Sequence, residues 1–143
     1  MMRERATRPT DREGGPEAVL QAIASMTSGW SGWERIGIGF GGPVHFPTQS
    51  VELSTHVGGW DCFPLVQRIS ENFGAPAVID NDANAGALGE WKHGAGRGCA
   101  SLLYLTVSTG IGGGIVCGGG VYRGADSWAG EIGHITIQPG GPE

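Results

Sequence analysis

Four Asn or Asp residues fall within five positions in "DNDAN": Asp80, Asn81, Asp82 and Asn84. The apolar "AVI" comes before them and "AGALGEW" after, so the cluster lies where a short strand gives way to a helix. In open α/β sheets, ligands gather beyond the carboxyl ends of strands. A carboxylate at such a point can hydrogen-bond a hydroxyl and take its proton, which phosphoryl transfer to an alcohol requires. Asn and Asp also cap helices. One cap uses one such residue, and the surplus favours chemistry, with capping as the alternative.

A second constellation is "LTVSTGIGGGIVCGGGVY", residues 105–122, with seven glycines between apolar stretches. Each glycine costs about 0.5–1 kcal/mol relative to alanine in a regular element. The stretch reads as a strand, a tip at Ser108-Thr109-Gly110 and a return strand through Gly112, Gly113 and Gly114. Successive backbone N–H groups in such a turn form a concavity suited to anions. A plain glycine-rich hairpin with no ligand explains the pattern equally well. A third pair, Glu131 and His134 in "AGEIGHI", shares a face only if the turn is helical. Glu suits sugar hydroxyls, and His suits a metal or a hydroxyl. Taken alone, the pair reads better as structural.

Other cradles are excluded. "GIGFGG", residues 37–42, matches G-x-G-x-x-G formally, but "PVHFP" follows where a dinucleotide fold needs a helix N-terminus. No G-x-x-x-x-G-K-[ST] occurs. His45, His56 and His93 share no metal-type spacing.

The elements that must position these groups follow from periodicity. Pro16 and the helical spacing of Val19, Ala22, Ile23 and Met26 predict a helix over 16–28. "RIGIGF" predicts a strand with Ile36, Ile38 and Phe40 on one face. A loop follows to Trp60, then a helix after Pro64 with Leu65, Ile69 and Phe73 spaced by four. "APAVID" reads as a short buried strand and "NDANAGALGEWKHG" as a helix closing at Gly94. "ASLLYLTVS" reads as a buried strand, "GGGIVC" and "VYRG" as a hairpin around Gly118 to Gly120, and "AGEIGHITIQP" as a turn and a further strand. Strands alternating with helices predict a mixed or parallel sheet. Residues 1–15 are polar and are expected to be disordered.

Composition bounds the class. With 39% hydrophobic and 16% charged residues, the 143-residue chain can bury a core. Its 28 glycines and 8 prolines follow no repeat. The net charge of −5 and the lack of a basic stripe exclude direct nucleic-acid binding. Cys62, Cys99 and Cys117 form no CxxC pair and fit a reducing compartment. No apolar run is long enough to span a membrane, and no apolar signal core opens the chain. The expectation is a cytoplasmic protein.

Three stretches together, "IDNDANAGALGEWKHGAGRG", "LYLTVSTGIGGGIV" and "RGADSWAGEIGHITI", resemble the ROK family of sugar kinases and sugar-responsive repressors. A looser match begins at "IGIGFGGPV", so the resemblance covers about residues 35–143 in order and spacing. It implies an α/β, actin-like ATPase (ribonuclease H-like) fold with sugar and ATP in a cleft. It implies Asp82 as the catalytic base, and Asn81, Gly42, Thr55, Glu131 and His134 as sugar-binding residues. Thr109, Gly110, Gly112 and Gly113 match its second phosphate motif. ATP with Mg²⁺ is the implied co-substrate, a hexose (glucose first) the implied substrate, and a homodimer the implied assembly of a full-length form.

The family also carries a D-x-G-G-T phosphate loop upstream, absent before residue 35, and a C-x-C-G-x-x-G-C cluster after its His, absent here. His134 is therefore the single zinc ligand of the family pattern present, and no zinc is expected in this chain. The expectation is an incomplete fold: a partial sugar-binding lobe over 16–96 and the start of an ATP-binding lobe over 97–143. A repressor segment that senses sugar without phosphorylating it, and a non-catalytic remnant, are the alternative readings.

Overall fold

The computed structural model describes residues 4–54 and 57–141. By contact, the chain divides into two compact units, Met1–Asp80 and Asn81–Glu143.

The first unit opens with helix α1 (Gly15–Met26), which carries Pro16 in its first turn and buries Pro16 and Leu20. Before it, the Asp11 carboxylate accepts hydrogen bonds from the N–H groups of Glu13 and Gly14, each at 3.0 Å. Residues 4–10 hold no regular element. Strand β1 (Ile36–Phe40) follows, with Ile36, Ile38 and Phe40 half-buried and the glycines between them exposed, as the alternation predicts. The segment expected to be one loop contains a short antiparallel ribbon, β2 (Val44–His45) with β3 (Ser50–Val51), turned by Phe46–Thr48 and by Gln49 at φ 58°. Helix α2 (Leu65–Phe73) buries Leu65 and Ile69 and ends at Gly74 in the left-handed region.

Strand β4 (Ala77–Asn81) pairs with β1. The Gln49 side chain supplies a second partner, accepting from the Ile79 N–H at 2.9 Å and donating to the Ile79 carbonyl at 3.3 Å. The core gathers Leu20, Val44, Val51, Val57, Trp60, Leu65, Ile69 and Ile79. Phe40, Trp60 and Phe63 stack edge to face around it, at centroid distances of 5.0 and 5.4 Å. Arg68 holds Glu17 through two bonds of 2.7 and 2.9 Å, and this carboxylate raises the guanidinium pKa above its ordinary value.

The second unit is one helix on one sheet. Helix α3 (Asp82–His93) packs on the antiparallel sheet β5 (Leu102–Val107), β6 (Ile111–Cys117) and β7 (Gly120–Tyr122). In β5–β6, Thr106 pairs with Gly112, Leu105 with Gly113 and Tyr104 with Gly114. The register puts Tyr104, Thr106, Gly112, Gly114 and Val116 toward α3. The other face presents Leu103, Leu105, Val107 and Ile111, all more than half exposed.

Three expectations change. The mixed or parallel sheet gives way to separate sheets, of which β2–β3 and β5–β6–β7 are antiparallel. Strand β5, expected to be buried, is covered on one face only, because antiparallel hairpin strands need only one packed side. "ITIQP", expected to be a strand, forms none. The chain makes a 3₁₀ turn at Ile132–His134, and Ile135 and Ile137 are 64% and 91% exposed. Among the described residues no strand edge pairs with this stretch, and without a ladder its apolar pattern has nothing to order it. The contact division at Asp80/Asn81 reflects how extensively α3 packs on β5 and β6.

Candidate active site

Strand β4 runs straight into α3, and the Asn/Asp cluster occupies that junction. Asn81 is the N-cap. Its Oδ1 accepts from the Ala83 N–H at 2.9 Å and the Asn84 N–H at 3.2 Å. Capping, the alternative reading of the cluster, thus holds for Asn81. It leaves Asp82 with a different place. Asp82 is exposed at the first helical position, with Oδ1 accepting from the Ala83 N–H at 2.9 Å. Its Oδ2 accepts no hydrogen bond among the described residues. With one oxygen held at the helix end and the side chain exposed, the carboxylate suits the role of a base. Asn84 is buried, 2% exposed, as are Ala83 and Ala87, which meet β6 at Gly114.

The glycine stretch divides by function. At the hairpin tip, Ser108, Thr109 and Gly110 are exposed, and a Cβ on Gly110 would meet nothing within 4 Å. The tip is closed by a bond from the Ser108 N–H to the Gly110 carbonyl at 2.9 Å. Gly112 and Gly113 lie inside the β5–β6 ladder instead. A Cβ on Gly112 would come to 3.1 Å from Thr106 Cγ2, and one on Gly113 to 2.8 Å from the Gly130 carbonyl oxygen. Gly114 is tighter still: its Cβ would lie 2.5 Å from the Ala83 carbonyl oxygen and 2.6 Å from Ala87 Cβ. These glycines let a helix backbone and a turn backbone approach the strand. Space for a ligand is found at Thr109 and Gly110, where exposed backbone suits phosphate oxygens.

Glu131 and His134 do meet. The 3₁₀ turn brings His134 Nε2 to 3.9 Å from Glu131 Oε2, with the Glu side chain 33% exposed and the His 81%. Their turn rests on β6. A Cβ on Gly130 would collide with the Gly113 carbonyl, and a Cβ on Gly133 with that of Ile111. Ala83 at the start of α3 also touches the β6 backbone, at Gly112 and Gly114. The helix end carrying Asp82, the hairpin tip and the Glu131–His134 turn are thus all anchored on the first four residues of β6. Gly130 and Gly133 are residues that sequence reasoning missed, although their positions flanking Glu131 were a signal.

Gly42 lies in the first unit between β1 and β2, where a Cβ would come to 3.0 Å from the Leu53 carbonyl oxygen. Thr55 lies outside the described residues. Among the described residues no three His, Cys, Asp or Glu side chains group to hold a metal ion. Cys62, Cys99 and Cys117 are exposed free thiols.

The family model described as "ROK family" matches residues 1–143. The chain belongs to the ROK family. Relatives of this ROK chain include the glucokinase of Halalkalibacterium halodurans, 39% identical over 141 residues, 93% of this chain and 42% of the relative. The xylose repressor of Bacillus subtilis is 37% identical over 108 residues, 76% of this chain and 28% of the relative. Among solved structures, a ROK family glucokinase from Streptomyces griseus in complex with glucose and AMPPNP matches with a TM-score of 0.79 and 34% identity. That match covers 90% of this chain and 42% of the glucokinase. The ROK chain therefore has the actin-like ATPase fold in part, spanning less than half the length of these relatives. No described helix is long and apolar enough to cross a membrane.

Proposed function

We propose that this ROK chain is the part of a cytoplasmic, ATP-dependent hexose kinase that carries its catalytic base and one of its phosphate grips, with glucose the first candidate substrate. The observation that carries the proposal is Asp82. One carboxylate oxygen is held by the Ala83 N–H, the residue is exposed, and the helix end that bears it rests on the strand leading from the open hairpin tip. In the proposed step, a sugar hydroxyl gives its proton to Asp82 Oδ2 as the hydroxyl oxygen bonds to the γ-phosphorus. The bond from phosphorus to the bridging oxygen breaks, and ADP leaves. Asn81, Glu131 and His134 orient the hexose, with Gly42 and Thr55 in a further sugar loop. Backbone N–H groups at Thr109 and Gly110 meet phosphate oxygens, while Gly112 and Gly113 keep the strand behind them thin. Mg²⁺ accompanying the nucleotide neutralises phosphate charge. The glucokinase relative and the glucose–AMPPNP complex support this reading.

The test is a chimera in which residues 15–141 replace the matching segment of the Halalkalibacterium halodurans glucokinase, assayed for ADP release with glucose, mannose and N-acetylglucosamine. Asp82→Asn is expected to lower kcat by ~10²–10⁴-fold, the usual cost of losing a positioned base, while calorimetry shows glucose still binding. An Asp82→Asn chimera with undiminished kcat would reduce Asp82 to a helix-end residue. The xylose repressor relative supports a second reading, a sugar sensor. A chimera that binds sugar and releases no ADP would favour it.

A further inference from the structure

We infer that Gly130 and Gly133 are positioning residues: by lacking side chains they seat the Glu131–His134 turn on the β6 backbone and tie it to the hairpin tip. The inference rests on the sugar and phosphate roles proposed above, and its physical basis is steric. The turn's own hydrogen bonds are local. Ile132 N–H donates to the Gly130 carbonyl at 2.7 Å, His134 N–H to Glu131 at 3.2 Å and Ile135 N–H to Ile132 at 3.4 Å. Such bonds fix the shape of the turn and not its place.

Its place is set by contacts with β6. Gly130 has φ +100°, a conformation that side chains resist, and its Cα faces the Gly113 carbonyl too closely for a Cβ. Gly133 faces the Ile111 carbonyl in the same way. Between them, Ile132 lays Cδ1 and Cγ1 on Gly113, at 3.1 and 3.2 Å from where a Cβ would stand. Residues 111 and 113 point to the same face of the strand, so the seat is a short strip formed by the Ile111 and Gly113 carbonyls, with the Ile111 Cβ beside Gly133. That strip begins one residue after Gly110, the open tip. The tightest of these approaches are to backbone carbonyls, which have no flexible end to absorb a displacement, so a shift in the turn is passed to Ile111–Gly113 and hence to the tip. Glu131 and His134 would then keep a fixed offset from the phosphate-facing N–H groups. Occupancy of either site would bias the other by the same factor, as linkage demands.

The test uses the 143-residue chain, with Gly133→Ala, the milder Ile132→Val and, as control, Gly120→Ala, a β7 position with open space around it. Amide hydrogen exchange is followed at Ile132, His134 and Ile135 in the turn and at Ile111–Gly113 in the strand. Gly133→Ala is expected to speed exchange in both groups together, by roughly tenfold or more. Ile132→Val should give the same pattern in smaller size, and Gly120→Ala should give none. Faster exchange confined to the turn, with β6 unchanged, would overturn the inference. Glucose titration by calorimetry adds the functional readout. A positioning role weakens Kd at unchanged stoichiometry, whereas a merely structural role lowers stoichiometry and leaves Kd alone. If the wild-type chain gives no glucose heat, the sugar reading falls, and the exchange pattern still decides whether the turn and strand share a seat.

Discussion

Replacing Gly114 by alanine probes the closest approach in the second unit. The added Cβ would stand 2.5 Å from the Ala83 carbonyl oxygen and 2.6 Å from Ala87 Cβ. Ordinary contact begins at 3.4 Å, so helix or strand must yield by about 0.9 Å. Neither neighbour is the end of a flexible side chain, and Val116, on the same face of β6, is fully buried against further movement. Overpacking of this kind costs about 1–3 kcal/mol. The displacement also falls on the first turn of α3, one residue from Asp82. A misplacement of about 1 Å at a reacting group can lower a rate on the order of 10²-fold. Urea unfolding of the 143-residue chain measures the first effect, with Gly120→Ala as the open-space control. ADP release by the Halalkalibacterium chimera measures the second. A Gly114→Ala chain with the wild-type urea midpoint would refute the claim that this glycine exists to let α3 approach. A destabilised variant with full kcat would separate the packing from the placement of Asp82.

Other substitutions follow from the same contacts. Asn81→Ala removes the cap of α3 and should cost about 0.5–2 kcal/mol in urea unfolding. Asn81→Asp should restore that stability, because Asp caps as well as Asn, and a persistent loss of glucose affinity in Asn81→Asp would mark the amide as a sugar contact. Gln49→Ala leaves the Ile79 N–H and carbonyl without their side-chain partner and should cost about 1–3 kcal/mol. It should also give faster exchange of the Ile79 amide, and an unchanged amide would show that the Gln49 bridge holds nothing.

Much of the second unit was legible in the chain. Helix α3, strands β5, β6 and β7 and both hairpins fall close to where apolar runs and glycine turns predict them, because those patterns are local and strong. The order of "NDAN", "STGIGGG" and "EIGH" also fixed the family, since that order is a property of the sequence. The first unit was less legible. The β2–β3 ribbon has only two residues per strand, too few for a period to register, and the Gln49 bridge to Ile79 joins residues thirty positions apart. "ITIQP" has a strand's alternation, but a strand exists only where an edge is free to pair with it. The glycines show the division most plainly. Their number in residues 105–122 announced close approach, and the sequence could not say of what. The fold assigns Gly112 and Gly114 to α3 and Gly113 to the Gly130–Ile132 turn, and leaves open space at Gly110. That choice depends on which face of β6 each residue occupies and what covers that face. Spacing reports the first, and only the packed chain decides the second.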